Sequence, residues 1–221
     1  MLNNIKAVLF DLDGTLVDSM WVWEGLDIRY LSKYNINPPK TLQEEVDGMS
    51  FTETAEYFKK IFDITDSIEE IKDEWNEMAK EYYMTKVNLK DGVLDFLEYL
   101  KKNNIVMGIG SSNSTELVNL TIERHNISKY FTSVRTSCEV EKGKPAPDIY
   151  LKVAEDLNVE PEECLVFEDI PKGITAGKDA GMKVCAIYDD YSKNLDDIKR
   201  SLADYYIDDF TDLVYDNKKE A

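Results

Sequence analysis

Residues 10–19 of the chain read Phe10-Asp11-Leu12-Asp13-Gly14-Thr15-Leu16-Val17-Asp18-Ser19. The run that leads into them, residues 5–10, is short, apolar and rich in β-branched and aromatic residues, which is typical of a buried strand. Asp11 and Asp13 therefore lie at the carboxyl end of a strand, where ligands bind in open α/β sheets. Two carboxylates two residues apart, followed by a glycine that frees the backbone, predict a cation site. A solvated loop, the alternative, would not place an acid directly on an apolar strand.

The composition limits the kinds of partner that the chain can have. Its 221 residues include 26 Lys and Arg against 44 Asp and Glu, a formal net charge of −18. This charge repels phosphate backbones and therefore disfavours nucleic acid and anionic membranes. No apolar run approaches the roughly 18 residues of a membrane span, and no obligate protein partner is evident. An acidic protein can still bind a small phosphorylated metabolite if the site supplies Mg²⁺ and a lysine.

The cysteines and the single histidine exclude several kinds of site. Cys138, Cys164 and Cys185 are widely spaced and form no metal-binding pattern, so we predict small buried residues of a reduced, cytoplasmic protein. His125 is the only histidine and falls near the predicted end of a helix. We interpret it as a surface residue, which removes most mechanisms that need a histidine base.

Residues 17–87 show a helical pattern throughout. Apolar and aromatic residues recur every three or four positions with charges between them, and we predict a small helical bundle that contains no strand. The three stripes are Trp23, Leu26, Tyr30 and Tyr34; Phe51, Ala55, Phe58 and Phe62; and Ile68, Ile71, Trp75, Met78 and Tyr82.

After Gly92 the pattern changes to alternating helices and strands, with strands predicted at 105–110, 133–136, 164–167 and 184–187 and a further short one at 203–207. This alternation predicts an α/β fold, a doubly wound parallel sheet with an inserted α-helical bundle. Far more residues separate Thr15 from Ser111 than the dozen or so that a crossover needs. We therefore predict a catalytic core domain of residues 1–16 and 88–221 and a helical cap domain of residues 17–87.

Polar residues follow three of the predicted strands. Because parallel strands have their carboxyl ends on one side, we expect these residues to face one crevice. A lysine held between a glycine and a proline, just before a helix, is a further candidate. The set is Asp11, Asp13, Ser111, Asn113, Lys144, Glu168 and Asp169.

These residue types suit phosphoryl transfer. Asp11 and Asp169 can hold Mg²⁺, which prefers hard oxygen ligands, while Ser111 and Lys144 can bind the phosphate oxygens. The Asp11 carboxylate can then attack phosphorus to give an aspartyl phosphate. Asp13 can protonate the leaving oxygen and later deprotonate the water that breaks the intermediate.

The motif DLDGT followed by LVDS, together with Ser111, Lys144 and the Glu168-Asp169 pair in that order, resembles the haloacid dehalogenase-like superfamily. The long helical insert resembles the cap of the branch that contains β-phosphoglucomutases and phosphoglycolate phosphatases. The resemblance implies a core with this fold and Mg²⁺ bound by Asp11, the backbone carbonyl of Asp13 and Asp169. It places Glu168 at the edge of the metal site or behind its ligands.

Departures from the branch bear on the reaction. Its mutases carry a histidine in the first cap helix and an arginine three residues after a cap glycine, where this chain has Trp23 and Phe51. We therefore favour a Mg²⁺-dependent phosphatase acting on a sugar or polyol phosphate, with a β-phosphoglucomutase-type phosphomutase as the alternative. Receiver-like signalling modules also use an acid cluster and a lysine, but they have no helical insert.

Several roles stay open in the sequence. Asn113 could contact substrate, or it could form a helix capping box with Glu116. Trp21, on the face opposite Trp23, is the better candidate to touch a substrate, whereas Trp23 is expected in the helical core. Gly48 marks either a turn toward the site or only the start of a helix.

Overall fold

A computed structural model describes residues 1–213 of the chain. In chain order the strands are β1 (Ala7–Phe10), β2 (Val17–Asp18), β3 (Asn88–Leu89), β4 (Val106–Ser111), β5 (Ser133–Thr136), β6 (Cys164–Glu168), β7 (Lys183–Ile187) and β8 (Tyr205–Ile207). The helices are α1 (Met20–Ser32), α2 (Leu42–Val46), α3 (Phe51–Ile61), α4 (Ile68–Thr85), α5 (Val93–Lys102), α6 (Thr115–Arg124), α7 (Asp148–Leu157), α8 (Pro171–Asp179) and α9 (Asp196–Leu202).

Six strands form one parallel sheet in the order β5-β4-β1-β6-β7-β8. The first strand of the chain thus lies near the middle, with Phe10 opposite Ile109 on one side and Phe167 on the other. The prediction of a doubly wound parallel sheet is confirmed. The short strand predicted at 203–207 is present as β8.

Helices cover both faces of the sheet, and successive side chains along β1 point alternately into the two apolar layers. Val8 and Phe10 point into one apolar cluster, which includes residues of α5 and α6. Ala7 and Leu9 point into another, which includes residues of α7 and α8. A period of two along β1 is what a strand sandwiched between two helical layers requires.

The helices α1 to α4 form an insert between β2 and β3, which we call the helical insert. Its centre is an aromatic cluster in which the ring of Trp75 meets those of Tyr30, Phe51 and Phe58 at centroid distances of 5.7, 5.5 and 4.9 Å. Such edge-to-face pairs add about 0.5–1.5 kcal/mol each beyond the burial of their surface. The predicted helical bundle is therefore present.

The buried face of α4 departs from the predicted stripe. It runs through Ile71 and Trp75 as expected, but continues through Ala79 and Tyr83, while Met78 and Tyr82 lie half-buried at its edge. The reason is that α4 packs against α3 and α1 and also against α6 of the core. Steps of four residues turn its buried face gradually toward that second neighbour.

The prediction that residues 17–87 contain no strand is wrong at their first two residues. Val17 and Asp18 form β2, which pairs antiparallel with β3 through Val17 opposite Leu89 and Asp18 opposite Asn88. A strand of two residues is too short to produce a recognisable period in the sequence. This ribbon connects the core to both ends of the helical insert. The predicted domain limits, 1–16 with 88–221 and 17–87, remain a proposal.

The cysteine and histidine predictions have mixed outcomes. Cys164 and Cys185 are buried, but Cys138 is exposed, because it lies in a turn after β5 and not in a strand. His125 follows the last residue of α6, as predicted, and is half-buried with its ring Nε2 3.1 Å from the carbonyl oxygen of Val87. Within residues 1–213, the helices are each too short or too polar to cross a membrane.

Candidate active site

The polar residues predicted at the strand ends meet at one place in the structure. Asp11 follows β1 directly, Ser111 is the last residue of β4, and Glu168 and Asp169 end and follow β6. Because β1 lies between β4 and β6, the three strand ends are adjacent. All four side chains are buried, each less than a tenth exposed.

An acidic cluster lies at the centre of this site. Asp11, Glu168 and Asp169 each offer a carboxylate oxygen within 4.8 Å of the others. The ammonium group of Lys144 donates hydrogen bonds to Oδ1 of Asp11 and Oε1 of Glu168, both at 2.6 Å. Three carboxylates thus share one lysine in a buried place, which leaves the cluster short of positive charge.

Both oxygens of Glu168 already have partners. Oε1 also accepts a hydrogen bond from the hydroxyl of Tyr150 at 2.7 Å, and Oε2 accepts from the backbone N–H of Asp169 at 3.0 Å. The first turn of α8 packs directly on this carboxylate, since a Cβ at Gly173 would come within 1.9 Å of Oε1. Glu168 is therefore held in one orientation, from which it positions Lys144.

Asp169 is the residue whose surroundings point to a cation. Its Oδ1 accepts a hydrogen bond from Thr15 at 3.0 Å, but its buried Oδ2 has no partner among the described residues. A Cβ at Gly14 would lie 2.2 Å from this oxygen, so only glycine fits beside it. A buried anionic oxygen without a partner is costly, and hard oxygen donors of this kind are the ligands of Mg²⁺. The residues present therefore fit a divalent cation.

The electrostatics of the cluster agree with this fit. Burial raises the pKa of Asp11 to about 7; the charge of Lys144 opposes this shift, while those of Glu168 and Asp13 add to it. Burial and the charges of Glu168 and Asp11 raise the pKa of Asp169 well above its usual range, and the charge of Lys90 opposes this shift. A bound cation would favour the ionised forms of both carboxyls.

Asp13 is held by side chains from both the core and the helical insert. Its Oδ1 accepts hydrogen bonds from Ser19 at 2.6 Å and from the hydroxyl of Tyr83, at the end of α4. Its Oδ2 accepts from the amide of Asn113 at 2.8 Å. These bonds hold the Asp13 carboxylate in place. Asp13 is two residues from Asp11 in the sequence, but the two carboxylates have different hydrogen-bond partners.

The capping box predicted for Asn113 and Glu116 is wrong. The helix α6 begins at Thr115, and its cap is Ser114, one residue after Asn113; the Ser114 hydroxyl accepts a hydrogen bond from the N–H of Leu117 at 3.2 Å. Asn113 is free to turn its amide toward Asp13 because Ser114 satisfies the helix end.

Sequence reasoning missed three residues that touch the site, namely Ser19, Tyr83 and Tyr150. Ser19 falls in the quoted motif and could have been considered from its position. The two tyrosines lie on helices, where periodicity indicates burial but not whether a hydroxyl reaches a carboxylate.

A cavity of about 140 Å³ lies between the acidic cluster and the helical insert. Trp23 lines it, whereas Trp21 is 42% exposed and donates its ring N–H to the carbonyl of Asp18. The expectation that Trp21 is the better candidate to touch substrate is therefore wrong. The helical face toward the core, and not the opposite face, borders the cavity.

Gly48 does mark a turn toward the site. Its φ of +74° is one that glycine adopts readily, and its carbonyl accepts a hydrogen bond from Ser112 at 3.2 Å. Phe51 donates its backbone N–H to the carbonyl of Ser112 at 3.0 Å. These bonds hold the start of α3 on the core beside the cavity.

A family model for haloacid dehalogenase-like hydrolases matches residues 8–187. The chain belongs to this family. The match spans the strand ends that carry the acidic cluster, and it confirms the prediction of a phosphatase-type enzyme at the level of the family.

Individual relatives of this hydrolase agree. The chain is 31% identical over 179 residues to a phosphorylated carbohydrates phosphatase of Thermotoga maritima, and the match covers 81% of this chain and 83% of the relative. It is 31% identical to (DL)-glycerol-3-phosphatase 2 of Arabidopsis thaliana, covering 95% and 89%. The crystal structure of a β-phosphoglucomutase from Clostridium difficile superposes with a TM-score of 0.77 at 26% identity, covering 98% and 96%. The predicted branch of the superfamily is thereby confirmed.

Proposed function

We propose that this hydrolase is a Mg²⁺-dependent phosphatase that releases phosphate from a small sugar or polyol phosphate through an aspartyl-phosphate intermediate. The observation that carries the proposal is the Lys144 ammonium group, which lies 2.6 Å from both Asp11 and Glu168, beside the unpartnered oxygen of Asp169. A nucleophilic carboxylate, a phosphate-binding cation and a metal ligand thus lie in one buried cluster. The free thiols of all three cysteines support a cytoplasmic location.

The proposed binding roles combine these contacts with what the resemblance to the family implies. Ser111 and Lys144 bind phosphate oxygens, with Asn113 beside them. Asp11 and Asp169 bind the metal together with the backbone carbonyl of Asp13, and Glu168 stands at the edge of that site. When bound, Mg²⁺ neutralises the negative charge of the phosphate ester.

The proposed chemistry has two steps. An Asp11 carboxylate oxygen attacks phosphorus and the bond to the ester oxygen breaks, while Asp13 donates a proton to that leaving oxygen. A water molecule then gives its proton to Asp13 and attacks the phosphorus of the aspartyl phosphate, which frees Asp11 and inorganic phosphate. The bonds from Ser19, Tyr83 and Asn113 hold the Asp13 carboxyl in place for both proton transfers.

The relatives support the substrate class. Two of them are named for their action on phosphorylated carbohydrates and on glycerol 3-phosphate. The similarity to a β-phosphoglucomutase structure keeps a mutase as the second candidate. Against it, Trp23 and Phe51 line the cavity where a mutase would need polar groups to hold a second phosphate.

The proposal is tested by phosphate release from a panel of sugar phosphates, polyol phosphates, phosphoglycolate and nucleotides, with and without Mg²⁺. We expect release from sugar or polyol phosphates that needs Mg²⁺ and is abolished in Asp11→Asn, which keeps the size of the side chain but removes the nucleophilic carboxylate. Release that persists in Asp11→Asn would refute the assignment of the nucleophile. Conversion of a sugar 1-phosphate to the 6-phosphate without release would instead show a mutase.

A further inference from the structure

The helical insert contributes one wall of the cavity, and we call this side the insert wall. It consists mainly of apolar and aromatic side chains, with four polar side chains among them, Asp27, Gln43, Asp47 and Thr54. Of the described residues that line the whole cavity, Lys144 is the one with a positive side chain, and it belongs to the acidic cluster on the core side. The insert wall therefore carries negative charge and no cation from its own lining.

Asp27 is an acceptor left open in this wall. The residue is 8% exposed, and its Oδ2 accepts a hydrogen bond from the side-chain amide of Gln43 at 2.5 Å. Within residues 1–213 its other oxygen has no hydrogen-bond partner, and the carboxylate of Glu24 on the same helix adds further negative charge nearby. Because Asp27 lines the cavity, its other carboxylate oxygen can accept a hydrogen bond from a ligand there.

Trp75 offers the complementary group. Its side chain lines the cavity at 3% exposure, and its ring N–H has no hydrogen-bond partner among the described residues. The surrounding rings of Trp23 and Phe51 give an apolar surface for carbon atoms of a ligand. A ligand with hydroxyl groups on a carbon chain matches this combination of a carboxylate acceptor and an apolar surface.

Lys172 does not supply the missing positive charge to the cavity. The ammonium group of this α8 residue donates hydrogen bonds to the backbone carbonyls of Asp47 at 2.8 Å and Glu44 at 3.4 Å. It compensates part of the charge of Asp47 but is not among the residues of the cavity wall.

We propose that the insert wall selects substrates whose leaving group bears hydroxyls and no negative charge, with Asp27 accepting a hydrogen bond from a substrate hydroxyl. The proposal rests on the proposed phosphatase function and deepens it. A carboxylate or second phosphate in this part of the cavity would face Asp27 and Asp47, and no cation among the insert residues of the lining would offset the repulsion between these like charges. The substrate is therefore the monophosphate of a neutral polyol or sugar.

The test compares two substrates of equal length, sorbitol 6-phosphate and 6-phosphogluconate, which differ by a hydroxymethyl against a carboxylate at the far end. We expect kcat/KM for sorbitol 6-phosphate to exceed that for 6-phosphogluconate by about 100-fold or more at pH 8. Asp27→Asn should reduce this ratio at least tenfold, and Asp47→Asn should reduce it in the same direction. Glu69→Gln, which removes an exposed charge of α4 outside the cavity lining, should leave it nearly unchanged.

A binding measurement separates failure of this proposal from failure of the phosphatase assignment. Isothermal titration calorimetry with Asp11→Asn in the presence of Mg²⁺ reports the preference between the two compounds without turnover. Tighter binding of sorbitol 6-phosphate than of 6-phosphogluconate supports the proposed role of the insert wall, even if neither compound is hydrolysed. This preference should be smaller in the double variant Asp11→Asn/Asp27→Asn. Equal or tighter binding of 6-phosphogluconate, or a wild-type ratio in Asp27→Asn, would overturn it.

Discussion

The hydroxyl of Tyr83 reaches Asp13 from the last turn of α4, and it also contacts Trp23 and Asn113. The acid that we assign to proton transfer is therefore oriented by a residue of the helical insert. General acid–base catalysis contributes roughly 10²–10⁴-fold to a rate, and part of that factor depends on orientation.

Tyr83→Phe is expected to lower kcat by about 10-fold to 100-fold, because it removes the hydroxyl and keeps the ring against Trp23. The measurement is steady-state phosphate release at saturating substrate. Tyr82→Phe is the matched control, since the ring of Tyr82 lies half-buried against Trp21 at 5.8 Å. A wild-type kcat in Tyr83→Phe would show that Asp13 needs no help from the insert.

Asp27 gives the protein a dependence of stability on pH. Burial raises the pKa of this carboxyl from 3.8 to about 7, the bond from Gln43 opposes the shift and the charge of Glu24 adds to it. The folded chain therefore binds more protons than the unfolded chain between these values, and stability falls as pH rises through that window. Asp47 and Tyr191, which face the same region, are the other titratable groups nearby.

Asp27→Asn is accordingly expected to raise Tm at pH 8 by a few degrees and to change it little at pH 5. About 1 kcal/mol of unfolding free energy moves Tm by roughly 2–4 °C in a protein of this size. Differential scanning calorimetry at both pH values, with Glu24→Gln in parallel, measures the effect. A Tm difference that is the same at pH 5 and pH 8 would contradict it.

Among single residues, those at strand ends could be predicted and those on helices could not. Ser111, Glu168 and Asp169 are predicted because topology brings the carboxyl ends of parallel strands together. Tyr83 was missed because a helical period distinguishes poorly between adjacent tyrosines, and a contact with Asp13 depends on how two distant segments pack.

At the scale of elements, the first turn of α8 lies directly on the site. The missing side chain of Gly173 leaves room for the Glu168 carboxylate, which in turn holds Lys144. Gly25 on α1, by contrast, has open space around the position of a Cβ. The two glycines therefore form a matched pair for substitution.

Gly173→Ala is expected to displace Glu168 and reduce kcat/KM by about 100-fold, since a misplacement of about 1 Å in a catalytic group can cost that much. Gly25→Ala should leave kcat/KM unchanged and stabilise the protein by roughly 0.5–1 kcal/mol, the usual gain in a helix. Kinetics and urea unfolding of both variants provide the comparison. Equal activities would mean that the backbone of α8 yields without moving Glu168.

The sequence predicted most elements of the core because β1, β4, β6 and β7 are each four to six residues of mostly apolar character. It did not predict the ribbon of β2 and β3, whose pairing of residues 17–18 with 88–89 depends on contacts across the whole insert. The same long-range packing determines which face of α4 is buried.

For the molecule as a whole, the acidic cluster links cation binding to stability. The three buried carboxylates repel one another, and one lysine offsets only part of this repulsion. A cation that binds this cluster binds only the folded state and should therefore stabilise it. At a free Mg²⁺ concentration 100-fold above Kd, we expect Tm to rise by roughly 5–10 °C.

Thermal unfolding with Mg²⁺ and with EDTA measures this rise without any assay of activity. Asp169→Asn should abolish it, whereas Glu69→Gln, on the exposed surface of α4, should retain it. An equal rise in Asp169→Asn would place the stabilising ion elsewhere on this strongly acidic chain.

The hydroxyl of Tyr83 on Asp13 also bears on how such enzymes can be recombined. If the helical insert only chose the substrate, inserts could be exchanged between relatives to create new specificities while the core kept its rate. Here the donor insert would also have to end in a helix that presents a hydroxyl to the proton-transfer acid, next to the ribbon of β2 and β3. A chimera designed with that single tyrosine retained at the junction should keep its chemistry while its choice of substrate is changed.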